Sequence, residues 1–268
     1  MTDPSTEIAE WRAARLRALR ADDGWLNLTD RIDLEPGRHL VGRGEGCDLR
    51  LSAGPARLGV LELACDGTAT FDAGAGPLAF APQPEAPPRL RVDELLLEIT
   101  ELSGRRSLRV RDLASPARAA FAGIDSFALA PDWRILAAWE PLPEAETHAI
   151  ETVVGIATEV RLTHRARFRH EDPSRHGSQT VTLLPTHWKG GKPMFVFRDA
   201  TSGRETYGAG RFLIGEVEGD RIVLDFNKAF NPPCAFSDLA ACPLPPRENR
   251  LPFAIRAGEL APRGHTPA

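Results

Sequence analysis

Charged and amide side chains stand at the ends of three apolar runs in the second half of the chain, residues 194–197, 212–214 and 222–224. If these runs form neighbouring antiparallel strands, their flanking side chains meet at one edge, because each residue advances a strand by only about 3.3 Å. Guanidinium, carboxylate and amide groups gathered there would suit a small polar or anionic ligand. The flanking residues are Arg198, Asp199, Arg211, Asp225 and Asn227.

The turns of this region suggest the strand pairing that such a site requires. Residues 218–220 are typical of a hairpin turn, which would pair Val217 with Ile222. If residues 194–197 pair antiparallel with the first strand of that hairpin, all of the flanking residues arrive at its open end.

Two loops leave the same edge and carry further polar groups. Residues 199–210 contain three glycines, which permit tight turns and let backbone N–H groups approach a ligand. Residues 228–250 are long for a loop, and their five prolines favour an ordered, functional excursion. The predicted ligand-binding residues are Arg198, Thr201, Ser202, Tyr207, Arg211, Asn227, Asn231, Glu248 and Asn249.

The same groups would also permit catalysis of a hydrolase or transferase type, so the sequence leaves open whether the chain is an enzyme. Asp199, Glu205 or Asp225 could act as a general base. Tyr207 or Cys234 could act as an acid or a nucleophile. The alternative is structural, because Arg–Asp pairs at strand ends often hold a loop in place and buried thiols are usually inert.

Histidines and cysteines form no recognisable metal-binding pattern. The spacing of four histidines between residues 164 and 187 matches no ligand motif, and no C-x-x-C pair occurs. We therefore assign no metal site, and the sequence identifies no cofactor. Free thiols are expected, although Cys234 and Cys242 are close enough in sequence to meet. The four histidines are His164, His170, His176 and His187, and the two remaining cysteines are Cys47 and Cys65.

Composition argues against several classes of protein. Of the 268 residues, 42% are apolar and 26% are charged, which allows a folded core. A net charge of −4 and a pI near 6.0 give no reason to expect nucleic acid as a partner. No stretch reaches the roughly 18 apolar residues of a membrane helix, and the first residues lack the apolar segment of a secretory signal. We expect a cytoplasmic protein with a small-molecule ligand and no membrane partner; the sequence leaves its oligomeric state open.

The pattern of short strands predicts a mainly β protein. Residues 3–20 are typical of a helix, with Asp3 as its cap and Pro4 at its first position. Short runs divided by Gly, Asp and Pro then indicate a small β-sandwich-like domain. Period-two alternation from residue 152 onward predicts an antiparallel sheet or a partly closed β-barrel. We expect an N-terminal helix at 1–22, the sandwich at 23–145 and a C-terminal domain carrying the site at 146–268.

Three segments of the C-terminal domain resemble a widespread bacterial family of uncharacterised proteins, formally a domain of unknown function. They are Phe197–Arg211, Asp225–Phe236 and Cys242–Asn249. Residues 23–28 and 54–59 are also similar to the N-terminal half of that family. The resemblance covers most of the chain and implies membership, but it brings no known activity.

A second resemblance concerns His39–Arg43 and Cys47–Leu51, which are similar to the opening of forkhead-associated β-sandwich domains. In those domains the arginine after the glycine helps to bind phosphothreonine, and the resemblance would give Arg43 that role. The Ser-x-x-His element that follows in those domains is absent, because Gly54–Gly59 occupies the region. The likeness therefore favours shared architecture over shared function.

Three hypotheses of function follow. The first is a pocket for a small polar or anionic ligand in the C-terminal domain. The second is a hydrolase or transferase built on that pocket. The third is a protein interaction module in the forkhead-associated-like half.

Overall fold

The computed structural model describes residues 3–83, 86–172 and 177–263, with only the main chain of residue 172. The fold is mainly β, as predicted, and begins with helix α1 (Pro4–Arg20). Nearly all strands pair antiparallel, and no sheet within the described residues closes into a barrel. None of the described helices is both long and apolar enough to cross a membrane.

The chain divides into two compact units. The N-terminal unit is Arg17–Ala122, and the C-terminal unit consists of Gly123–Ala268 together with Met1–Leu16. Helix α1 therefore supplies residues to both units.

The N-terminal unit is a sandwich of two sheets. Its elements are β1 (Leu28–Asp33), β2 (Gly37–Gly42), β3 (Leu49–Arg50), β4 (Gly59–Leu63), β5 (Ala69–Asp72), β6 (Pro77–Ala79), β7 (Arg89–Val92), β8 (Leu95–Leu102), β9 (Arg105–Asp112) and α2 (Pro116–Ala120). The strand orders are β1-β9-β8-β7 and β3-β2-β4-β5-β6. Leu61 and Phe71 of one sheet share an apolar cluster with Leu97 and Leu108 of the other, so burial of these side chains holds the sheets face to face.

The C-terminal unit contains a five-stranded and a three-stranded sheet. Its strands are β10 (Arg134–Glu151), β11 (Ala157–Asp172), β12 (Gly177–Leu183), β13 (His187–Lys189), β14 (Lys192–Phe197), β15 (Arg211–Ile214), β16 (Glu216–Glu218) and β17 (Arg221–Asp225). The strand orders are β12-β11-β10-β17-β16 and β13-β14-β15. An aromatic core that includes Trp139, Phe168, Phe195 and Phe226 lies among these strands.

Strand β10 runs through the domain boundary expected near residue 145. The pairing of β10 with β11 shifts register between Pro141 and Glu146, which is a bulge. A bulge tolerates proline, because the residues within it make no ladder hydrogen bonds. Pro141 and Pro143, which are typical of a linker in the sequence, therefore lie inside a strand. The C-terminal unit begins at Gly123, before this strand.

The sequence predicts one strand at residues 211–218, but the structure contains two. Strand β15 pairs with β14, whereas β16 pairs with β17 and places Val217 opposite Ile222, as predicted. Gly215 separates the two strands, and a Cβ atom on Gly215 would lie 2.4 Å from the Cδ1 atom of Ile222. The close approach of Ile222 thus requires glycine at the point where the chain changes sheet.

Candidate functional site

The loop of residues 198–210 connects the end of β14 to the start of β15, so both ends of the loop lie at the same end of these two strands. Strands β14 and β15 pair antiparallel, with Phe197 opposite Arg211, which confirms the predicted pairing. Asp199, which lies two residues after Phe197, is therefore close to Arg211.

Asp199 holds this loop together through both carboxylate oxygens. Its Oδ1 accepts hydrogen bonds from the Thr201 N–H at 3.1 Å, the Thr201 hydroxyl at 2.6 Å and the Ser202 hydroxyl at 3.3 Å. Its Oδ2 accepts from Arg211 Nη2 at 3.0 Å and from the Ile255 N–H at 2.7 Å. These contacts fully occupy a buried carboxylate with partners inside the protein.

Arg211 is 1% exposed and is held by the C-terminal segment. Besides its bond to Asp199, Nη2 donates to the carbonyl of Ile255 at 2.9 Å, and Nη1 donates to the carbonyls of Ala257 and Glu259. Burial lowers the pKa of the Arg211 guanidinium, and the charge of Asp199 opposes that effect. Arg211 therefore links β15 to the segment of residues 255–259, and both Nη atoms of its guanidinium donate hydrogen bonds.

Arg198 and Asp225, predicted at the same edge, have other surroundings. The side chain of Arg198 is exposed, and its main-chain N–H donates to the Asn249 carbonyl at 3.0 Å. Asp225 accepts hydrogen bonds from Arg134 at 3.2 Å and from the N–H of Asn227 at 3.1 Å. The structure thus brings Asp199 and Arg211 together, while Arg198 and Asp225 contact different partners.

Two of the predicted asparagines bridge main-chain groups of distant segments. The Asn227 amide donates to the Ala130 carbonyl at 3.0 Å and accepts from the Ala130 N–H at 2.9 Å. Asn249 makes the same double contact with Leu184, at 2.8 Å for each bond. Both amides satisfy buried backbone groups, which is a structural role.

Asn231 lies beside a buried carboxylate. Its N–H donates to Glu259 Oε2 at 2.6 Å and its Nδ2 donates to the Leu260 carbonyl at 2.7 Å. Its Oδ1 is buried and has no hydrogen-bond partner among the residues that the structure describes. Glu259 also accepts from Arg15 Nε of helix α1 at 3.1 Å. Burial raises the pKa of the Glu259 carboxyl, and Arg15 opposes that rise.

The remaining predicted ligand-binding and catalytic residues of the two loops differ in exposure. Thr201 is buried in the Asp199 cluster, and Ser202 is half-buried beside it. Glu205 forms an ion pair with Arg256 at 3.1 Å on the surface, and Glu248 is exposed.

Tyr207 and two thiols form a separate buried group. The Tyr207 hydroxyl donates to the Cys234 carbonyl at 3.0 Å, and the Cys234 N–H donates to Cys242 Sγ at 3.1 Å. Burial raises the pKa of the Tyr207 hydroxyl. Interaction with the neighbouring thiol lowers the pKa of Cys234 and raises that of Cys242.

The histidines are dispersed. His164 and His170 stack on aromatic rings, and burial lowers the pKa of His187 to about 4. His176 lies outside the described residues. Within the described part of the chain, no three His, Cys, Asp or Glu side chains lie close enough to hold a metal ion.

Sequence reasoning missed an open concavity of about 520 Å³ on the solvent side of the five-stranded sheet. We call it the arginine face and define it by Arg167, Arg169, Arg221, Glu140 and Ala138, which line it. The alternation along β11, which predicts one wet face, already placed two of these arginines on a common side. The third arises from β17, and only the sheet order brings it near.

Exposed arginines also gather in the N-terminal unit, at the end of β2. Arg43 follows Gly42, Gly42 pairs with Arg50, and a Cβ atom on Gly42 would lie 2.9 Å from the Cα atom of Arg57. All three arginine side chains are exposed, and none has a hydrogen-bond or ion-pair partner within the described residues.

Comparison with known proteins gives a family-level match. A family model described as Protein of unknown function (DUF1684) matches residues 119–260, just over half of the chain. Residues 23–28 and 54–59 lie outside that range.

One similar solved structure is the solution NMR structure of the uncharacterized protein from gene locus rrnAC0354 of Haloarcula marismortui. It is 30% identical, covers 56% of this chain and 82% of that chain, and gives a TM-score of 0.42. No curated protein matches the chain.

Proposed function

We propose, for a chain that belongs to the DUF1684 family of proteins of unknown function, that its C-terminal unit binds a small anionic molecule at the arginine face. The loop edge predicted from the sequence is a weaker candidate, because Arg211 and Asp199 there already satisfy each other. The observation that carries the proposal is a concavity lined by three arginines and one carboxylate.

The sheet register supports a cradle between two guanidinium groups. Arg221 lies opposite Ala138 on β10, and Ala138 lies opposite Arg167 on β11. Neighbouring strands are about 4.8 Å apart, so the two arginines begin about 10 Å from each other with a single methyl group between them. An anion above Ala138 could therefore accept hydrogen bonds from both sides.

The charges of the arginine face are incompletely paired. Glu140 accepts from Arg167 at 3.4 Å and also from Arg165 at 3.1 Å. Arg169 donates to the hydroxyl of Ser178, which carries no charge. The side chain of Arg221 has no hydrogen-bond or ion-pair partner within the described residues. The surplus of positive charge favours a carboxylate or phosphate, which the planar guanidinium contacts through two parallel hydrogen bonds.

The size of the concavity suits a small molecule. Its volume of about 520 Å³ lies within the range of about 300–1,000 Å³ that is typical of such sites. Its residues belong to strands rather than flexible loops, so the backbone positions of the arginines are set by the sheet before the ligand arrives.

Replacing Arg221 by alanine should weaken binding of pyrophosphate by roughly 10-fold to 100-fold, because a hydrogen bond to a charged group contributes about 1.5–3 kcal/mol. The measurement is isothermal titration calorimetry at low ionic strength, where screening is small. Citrate, titrated in parallel, distinguishes a site for carboxylates from one for phosphates.

The matched control is Arg247→Ala, which removes an exposed arginine outside the arginine face. It should leave the affinity unchanged. Equal weakening by the two substitutions would show non-specific attraction by net charge, and an absence of binding to the unaltered protein at millimolar concentration of both anions would refute the proposal.

We restrict the proposal to binding. Asp199, Tyr207 and Cys234, which were predicted as base, acid or nucleophile, are buried and do not line the arginine face. A hydrolase or transferase activity would have to place its substrate within hydrogen-bond reach of one of these groups.

Phosphopeptide binding by the N-terminal unit is a second candidate, supported by the three exposed arginines around Gly42. Arg43→Ala should lower the affinity for a phosphothreonine peptide at least 10-fold, since one charge-assisted contact of about 1.5–3 kcal/mol is lost. Fluorescence anisotropy with the phosphorylated and unphosphorylated peptide measures this. Arg38→Ala, at the other end of β2, is the control, and equal binding of both peptides would exclude phosphate recognition.

A further inference from the structure

Cys234 and Cys242 lie in direct contact, in a part of the C-terminal unit that the proposed binding site does not use. They are 5% and 3% exposed, and both are free thiols. The Cys234 N–H donates to Cys242 Sγ at 3.1 Å, so the main chain of one cysteine contacts the sulfur of the other.

We propose that Cys234 and Cys242 form an oxidation site, which closes to an intrachain disulfide when a peroxide reaches it. The geometry requires little movement. Sγ of Cys242 is already 3.1 Å from the nitrogen of Cys234, which is itself only about 1.46 Å from the Cα atom of that residue. The Cys242 sulfur therefore lies within about 4.6 Å of the Cα atom of Cys234, the sum of these two lengths, and rotation of the Cys234 side chain is the movement that closure needs.

Either cysteine can begin the reaction. The thiolate is the reactive form of cysteine, and the two residues are in contact, so whichever thiolate reacts first has the other thiol as its resolving partner.

The reaction balances with hydrogen peroxide as the oxidant. The thiolate of one cysteine attacks one peroxide oxygen, an S–O bond forms, the O–O bond breaks and hydroxide leaves, which yields a sulfenic acid. This hydroxide takes up the proton that the first thiol released and becomes water. The sulfur of the other cysteine then attacks the sulfenic sulfur, the S–S bond forms, the S–O bond breaks, and the departing hydroxide takes the proton of the second thiol as water. Two thiols are oxidised to one disulfide, and one hydrogen peroxide is reduced to two molecules of water.

The remaining cysteines serve as internal controls. Cys65 is exposed, and Cys47 is partly buried with its thiol donating to the Ala56 carbonyl at 3.3 Å. Both belong to the N-terminal unit. Accessibility alone would make Cys65 react first, whereas the proposal makes the buried pair react first.

The experiment treats the full chain with a small excess of hydrogen peroxide, quenches it with iodoacetamide in denaturant and maps tryptic peptides by mass spectrometry. Both cysteines lie between Lys228 and Arg247, so a single peptide reports on the pair. We expect this peptide to lose two hydrogens and take up no iodoacetamide while Cys65 is still alkylated. Uptake of two alkyl groups by the peptide after Cys65 has been oxidised would overturn the proposal.

Two variants test the sulfenic acid step. In Cys242→Ser and in Cys234→Ser the remaining thiol has no resolving partner, so each variant should accumulate a sulfenic acid that dimedone traps. The absence of an adduct in both variants would contradict the proposed step. The peptide map uses the unaltered protein, so its outcome does not depend on whether a variant folds.

Discussion

Replacing Arg211 by methionine should lower the free energy of unfolding by about 3–5 kcal/mol, the cost of leaving one partner of a buried ion pair without the other. The substitution keeps most of the side-chain length but removes the donors for Asp199 and for the carbonyls of Ile255 and Ala257. Asp199 would retain hydrogen bonds from its loop but would lose the buried positive charge at 3.0 Å. Urea denaturation followed by circular dichroism measures the change.

The control for this prediction is Arg198→Met, which alters an exposed arginine at the start of the same loop. It should change the free energy of unfolding by no more than about 0.5 kcal/mol, as is usual for surface substitutions. If Arg211→Met were equally mild, Arg211 would not be structural, and a ligand-binding role at the loop edge would regain support.

Replacing Glu98 by glutamine should have an effect of similar size on the N-terminal unit, about 3–5 kcal/mol. Glu98 is 1% exposed and accepts hydrogen bonds from Arg109 at 2.7 Å and from Arg111 at 3.0 Å. Burial lowers the pKa of Arg111, and Glu98 opposes this. Glutamine keeps the shape of the side chain but leaves two guanidinium groups without a negative charge. The free energy of unfolding in urea reports the loss.

Glu101→Gln is the matched control, because Glu101 is three residues further along β8 and pairs with Arg106 at 3.0 Å on the surface. Water screens an exposed pair, so the expected cost is about 0–1 kcal/mol. Equal losses from the two substitutions would mean that the burial of Glu98 carries no energetic consequence.

The sequence determined the strands and turns of the C-terminal unit because these follow from local patterns. The alternation along Ala157–Asp172 predicts a strand with one wet face, and the turn at residues 218–220 predicts a hairpin that the structure contains. The resemblance to a family of unknown function also came from the sequence, and a family model of that kind matches residues 119–260.

Tertiary structure alone decided which charged side chains are available. In the sequence Arg198 and Arg211 are equivalent arginines at strand ends, yet one is exposed and the other is buried. The carbonyls that hold Arg211 belong to residues 44–48 positions away. The neighbours of Arg221 on the arginine face likewise come from β10 and β11. Local periodicity fixes the side of a strand on which a residue lies, but the partner that neutralises its charge is set by long-range packing.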